Sequence, residues 1–176
     1  MLLNQTSNLR LRLELTRRVS EGVDRPASLE FTAAVERYKA ITSGERGEFR
    51  FVPLVALAGK TMLDMDLITF LEQLEAVLAG KAGPPDAAQA VFEATAEPSL
   101  GLRIAGGPEV YLVEVGIDLL ALLEPVSGQR SDAGSDLALF RFIASGRGAA
   151  AFCQSLVEEF QRYPTDPSKV FAGPRE

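Results

Sequence analysis

Leucine occupies every second position from Leu9 to Leu15, and charged side chains fill the positions between them. A repeat of two places successive side chains on opposite faces of a β-strand, which predicts a strand with one face in a core and one in water. The same alternation returns at residues 29–35, 49–51, 100–104 and 111–119, and residues 91–95 and 137–143 are further predicted strands. The first of these strands are joined by turns too short for parallel crossovers, so we expect antiparallel neighbours.

In two segments the apolar side chains are spaced with the period of a helix. Apolar side chains recur every three or four residues over 67–78, an arc of about 120° that predicts an amphipathic helix. Asp66 is placed to cap this helix and Gly80 to end it. A second amphipathic helix is predicted from Ala149 until Pro164. The predicted fold class is therefore α+β in two layers, with a curved antiparallel sheet of six to eight strands and both helices on one face.

The chain has 176 residues, enough for one filled core. We expect a single α+β domain over residues 1–164. Residues 1–48 are its N-terminal strands, which either extend the main sheet or stand apart from it. Residues 165–176 contain prolines, which interrupt regular structure, and we expect this segment to be a flexible tail.

Composition disfavours several functions. The chain lacks histidine, the commonest metal ligand and general acid–base side chain, and its single cysteine cannot form an internal disulfide. We therefore expect no catalytic residue, no metal and no cofactor, and a reducing cytoplasmic location. A net charge of −6 disfavours nucleic acid. No stretch approaches the roughly 20 apolar residues that cross a bilayer, so no membrane partner is expected.

A glycine motif precedes the second helix. Gly146, Gly148 and Ala151 have the G-x-G-x-x-A spacing of a dinucleotide site. That site works within a βαβ unit, and here no strand is predicted after the helix. The favoured interpretation is that Ser145 caps the helix and the glycines allow a tight turn. A protein that binds a small molecule or nucleotide through Gly146 and Gly148 remains the alternative.

Two further polar features have structural interpretations. Asp64 and Asp66 form a D-x-D pair, but two carboxylates are too few ligands for a divalent ion. Acidic residues at the positive end of a helix dipole explain them better. Cys153 lies on an apolar stripe with Phe152 and Leu156, where a thiol fills space and is unreactive.

Charged side chains on the outward strand positions suggest a docking surface. Arg103, Glu114 and Arg141 fall on outward positions of three neighbouring strands, where arginine and glutamate pair across a sheet. Glu158 and Glu159 lie opposite the apolar stripe of the second helix. Arginine is enriched in protein interfaces, and an acidic patch suits a basic partner. We predict these five residues as contacts with a protein partner.

Residues 49–164 contain a strand pair, a helix of the "DLITFLEQLEAVLAG" kind, "EPSL" ahead of a strand, and a terminal helix ending "F…YP". With these elements they resemble the WapI-type immunity proteins of bacterial polymorphic toxin systems. The resemblance implies a small acidic cytoplasmic protein that binds a cognate toxin, possessing no catalytic activity of its own. Long-range attraction would speed its association with a basic toxin domain. A second alternative is a self-associating module, a homodimer in which a strand such as 9–15 pairs across the interface.

Overall fold

The computed structural model describes residues 1–19, 27–41, 48–82, 88–95, 99–107, 109–118 and 137–164. They form eight strands and two helices: β1 (Leu2–Leu3), β2 (Leu9–Val19), β3 (Ser28–Ile41), β4 (Glu48–Leu63), α1 (Asp64–Leu78), β5 (Gln89–Glu93), β6 (Leu100–Gly106), β7 (Val110–Asp118), β8 (Leu137–Ser145) and α2 (Gly146–Gln161). The α+β class is confirmed. The predicted flexible tail, 165–176, lies outside the described residues.

The strands form two antiparallel sheets, ordered β1-β2-β3-β4 and β5-β6-β7-β8. The prediction of one curved sheet of six to eight strands is therefore wrong. At Leu63 the chain passes directly from β4 into α1, which removes it from the first sheet before β5 begins. Where the sheets meet, the described backbone makes a single hydrogen bond, from Gln5 N–H to the Ile143 carbonyl at 2.8 Å. One bond does not continue a ladder.

Residues before β4 belong to the first sheet and do not extend the second. The alternation in β2 holds, because Leu11, Leu13 and Leu15 are buried. This strand lies inside its sheet, paired with β1 on one side and β3 on the other. On the β1 side only Arg10 and Leu11 are paired among the described residues, so the alternative of a homodimer that pairs through residues 9–15 stays a prediction.

Strand β4 is longer than the sequence pattern indicates. Its alternation is interrupted because the β3–β4 register shifts between Phe31 and Ala33 and between Val35 and Glu36. Among the described strands β4 pairs only with β3, and an edge position of this kind tolerates a proline. Pro53 accordingly lies within the strand.

Both helices pack into one apolar core that they share with the two sheets. Phe70 of α1 meets Phe92 of β5 edge to face, with ring centroids 5.8 Å apart. Phe152 of α2 is fully buried in the same core. Burial of each such ring contributes roughly 1.5–3 kcal/mol. Because strand side chains alternate, filling this core leaves the outward faces of both sheets uncovered by α1 and α2.

Candidate protein-binding face

Three of the predicted contact residues form one ion-pair cluster. In the register of the second sheet, Arg103 and Arg141 lie on either side of Glu114. The neighbours Val113 and Val115 are fully buried, so Glu114 points away from the core. Its Oε2 is 2.6 Å from Nη1 of Arg103, and its Oε1 is 2.6 Å from Nε of Arg141. The hydrogen bond from Arg103, and then that from Arg141, lower the pKa of the Glu114 carboxyl below its ordinary value.

This cluster presents positive charge outward. The side chains of Arg103 and Arg141 are 46% and 63% exposed, whereas that of Glu114 is 14% exposed. One carboxylate is shared by two guanidinium groups, so the cluster carries a net charge of +1. Each guanidinium has five N–H donors, and most remain available to an incoming acceptor.

Exposed aliphatic side chains surround the cluster on the same face. Leu112 pairs with Ile143 in the strand register, and Leu139 pairs with Gly116. The exposed apolar residues of β7 and β8 are between 40% and 55% exposed: Val110, Leu112, Leu137, Leu139 and Ile143. We call this surface, together with the three charged residues, the arginine face.

Sequence reasoning missed the aliphatic part of the arginine face. The signal was present in "LALFRFI", which is apolar at both odd and even positions. Phe142 is buried toward the core while Leu139 and Ile143 point outward and are exposed. The outward side of β8 therefore adds to an exposed apolar patch, a feature that marks interaction sites when it is large.

The first sheet carries a related cluster that is more enclosed. Glu36 is buried and forms ion pairs with Arg10 and Arg12. The guanidinium of Arg10 lies 3.9 Å from the ring centre of Phe51, in a cation–π contact. Because Glu36 is buried and Arg10 is covered by a ring, this cluster has fewer donors to offer than the arginine face.

Glu158 and Glu159 lie away from the arginine face. They belong to α2, whose buried side packs in the core, on the opposite side of the second sheet. Glu159 Oε2 accepts a hydrogen bond of 3.1 Å from Leu15 N–H. Glu158 is exposed and accepts one of 2.9 Å from Gln154. The five predicted contact residues are therefore divided between two surfaces, and Glu159 helps to attach α2 to β2.

The backbone amides of the glycine motif donate hydrogen bonds to nearby residues of the chain. Ser145 Oγ accepts from Gly148 N–H at 3.1 Å, which confirms the predicted cap. Gly146 N–H donates to the Glu109 carbonyl at 2.7 Å. A Cβ placed on Gly148 would lie 3.2 Å from the Ser145 hydroxyl, so the cap itself favours glycine there. These amides, which would contact a pyrophosphate, already have acceptors.

The D-x-D carboxylates serve different partners. Asp64 Oδ2 lies 2.8 Å from Arg18 Nη1. Asp66 instead accepts from the Thr95 hydroxyl at 2.9 Å and from the Thr95 amide at 3.0 Å. Helix α1 begins at Asp64, so its N-cap residue is Leu63 and not Asp66. Asp66 is the third helical residue and still caps the helix, because its carboxylate accepts from Leu63 N–H as in a capping box. Because no loop separates β4 from α1, the helix begins earlier in the chain than its apolar spacing predicts.

Cys153 fills space in the core. Its side chain is buried. Burial, with a smaller contribution from the charge of Glu75, raises the pKa of the thiol to about 11. A thiol with so high a pKa is a poor nucleophile near neutral pH.

No protein-family model matches the chain, and no curated protein matches it. A chain of the CdiA-CT/CdiI toxin and immunity complex from Enterobacter cloacae is similar in structure, with a TM-score of 0.36 and 12% sequence identity over 85% of this chain and 99% of that chain. Similarity at this level supports no inference about the fold or partner of this chain. Within the described residues, neither helix has the length and apolar character needed to cross a membrane.

Proposed function

We propose that this protein is a non-enzymatic, protein-binding domain that acts as a bacterial immunity protein, with the arginine face as its docking surface. The observation that carries the proposal is the exposure of aliphatic side chains around Arg103 and Arg141. Apolar area combined with arginine is typical of the central part of protein interfaces.

The geometry of the cluster favours binding. Glu114 holds both guanidinium groups in place through two short hydrogen bonds. Side chains that are ordered before binding lose less conformational entropy when a partner arrives. The cluster therefore supplies oriented donors at a small entropic cost, while the leucines supply area that is removed from water.

The nature of the partner comes from the resemblance of residues 49–164 to WapI-type immunity proteins. That resemblance implies a cognate toxin that is blocked by occupation of its surface. The net charge of −6 would accelerate association with a basic toxin domain. In this proposal the complex forms in the cytoplasm.

Titration calorimetry with the toxin domain encoded beside this protein tests the proposal. We expect Arg141→Glu to weaken binding by about tenfold or more, because it places a negative charge next to Glu114. Lys81→Glu is the matched control, since Lys81 is exposed after α1 and the variant has the same net charge. Its affinity should stay within about threefold of the wild type.

Two results would overturn this assignment. One is the absence of a complex when the wild-type protein and the toxin domain are mixed. The other is an equal loss of affinity in Arg141→Glu and Lys81→Glu, because the loss would then come from the change in net charge and not from the arginine face. Light scattering of the isolated protein adds a third outcome, because a dimer dissociated by Arg141→Glu would assign the face to a second copy of the chain.

A further inference from the structure

A pocket of about 540 Å³ opens where the two sheets meet, between the turn after β1 and strand β8. We call it the seam pocket. Leu9 and Leu54 of the first sheet and Phe140 and Phe142 of the second contribute apolar walls. Its volume falls within the range of about 300–1,000 Å³ that is common for binding sites.

The charges of the seam pocket have one sign. Arg37 of β3 and Arg141 of β8 both line it, and none of its described lining residues is a carboxylate. Arg141 shares Glu114 with Arg103, whereas Arg37 forms no ion pair with any residue that the structure describes. An acidic protein therefore has a local site that is both apolar and cationic.

The seam pocket continues the arginine face. Arg141 and Ile143 belong to both, since they line the pocket and lie on the outward side of β8. A partner segment that crosses the arginine face toward β8 reaches the pocket at the edge of the sheet. The anchoring side chains of an interface typically fill pockets that are closed to water in the complex.

We propose that the seam pocket binds a segment of the protein partner in which a carboxylate lies next to an apolar side chain. The carboxylate faces Arg37 and Arg141, where charge-assisted hydrogen bonds to guanidinium are strong and directional. The apolar side chain packs against the walls formed by Leu54 and Phe140. The inference rests on the proposed function and adds the chemistry of the anchor, because a toxin domain that is basic overall can still place one carboxylate there.

Peptide titrations followed by NMR of the ¹⁵N-labelled protein test the pocket without the toxin. The probes are acetylated and amidated peptides of sequence Leu-Asp-Leu-Phe and Leu-Asn-Leu-Phe, which differ only in the charge of one side chain. We expect the aspartate peptide to bind at least about fivefold more tightly and to shift the amides of residues 4–9 and 140–143. Arg37→Ala should reduce the preference to less than about twofold.

Lys39→Ala is the matched control. It removes one positive charge from an exposed residue of the same strand that does not line the pocket, so the preference should be unchanged. Equal affinity for the two peptides, or no saturable shift, would overturn the assignment of the pocket. If the peptides do not bind or bind equally well while Arg141→Glu still weakens the toxin complex, only the assignment of the pocket is wrong. If the protein prefers the aspartate peptide but forms no complex with the toxin domain, only the proposed immunity function is wrong.

Discussion

Arg18 donates a hydrogen bond of 2.8 Å from Nη1 to Oδ2 of Asp64, which joins the end of β2 to the first residue of α1. Asp64 is 1% exposed, so its charge is compensated within the protein. Removing the cation leaves a buried carboxylate, which typically costs about 3 kcal/mol. We expect Arg18→Met to lower the free energy of unfolding by about that amount in urea titrations.

Arg17→Met provides the comparison for Arg18. Arg17 forms its ion pair with Glu30 at an exposed position of the same strand. The expected cost is below about 1 kcal/mol, because exposed pairs are screened by solvent. If Arg17→Met and Arg18→Met lower the free energy of unfolding equally, the Arg18–Asp64 pair has no special role in stability.

The attachment of α2 to β2 distinguishes the two neighbouring glutamates. Glu159→Ala removes the acceptor of Leu15 N–H and should lower the free energy of unfolding by about 1–2 kcal/mol. Glu158→Ala lies on the exposed side of α2 and should change it by less than about 0.5 kcal/mol. Thermal unfolding measured by circular dichroism checks both. A larger loss in Glu158→Ala would show that the helix is held in another way.

The arginine cluster makes stability depend on pH in the acidic range. Its hydrogen bonds keep the pKa of Glu114 lower in the folded protein than in the unfolded chain. The stabilisation is therefore present at neutral pH and is lost as the pH falls through the folded pKa. We expect Glu114→Gln to lower the urea midpoint near neutral pH, and the gap to the wild type to narrow toward about pH 3. A gap that is constant with pH would contradict this origin.

Cys153 should react only when the protein unfolds. With a pKa of about 11, roughly one thiol in a thousand is ionised at about pH 8. We expect Ellman's reagent to modify the native protein very slowly and the protein in concentrated guanidinium chloride rapidly. Fast modification of the native protein would show that the thiol is accessible.

Strands β3 and β4 place two cations opposite each other. Lys39 and Arg50 are direct partners in the register, and both are exposed. Like charges in this position are unfavourable, and a pair of opposite charges contributes roughly 0.2–1 kcal/mol. Lys39→Glu should therefore raise the melting temperature in calorimetry, whereas Lys60→Glu, on β4 opposite Phe31, lacks this benefit. A lower melting temperature for Lys39→Glu would contradict the register.

Local patterns predicted much of this structure because they depend on near neighbours. The leucines of β2 alternate, and the strand lies at the position they predict. Ser145 caps α2 through a bond to an amide three residues away. Arg103, Glu114 and Arg141 could be placed together because antiparallel neighbours pair in a regular register.

Other features come from contacts between segments that are distant in the sequence. No period marks β1 or the part of β4 beyond Phe51, where register shifts and Pro53 hide the alternation. The pairing of Glu159 with Leu15 spans 144 positions.

The sequence by itself determined both helices, the strands with a regular pattern and the apolar faces of these segments, since these follow from the spacing of side chains along the chain. Only the tertiary structure decided that there are two sheets and that Arg37 and Arg141 line one pocket. The reason is that the direction α1 takes after Leu63 depends on how the whole core packs, and this direction sets where the second sheet meets the first.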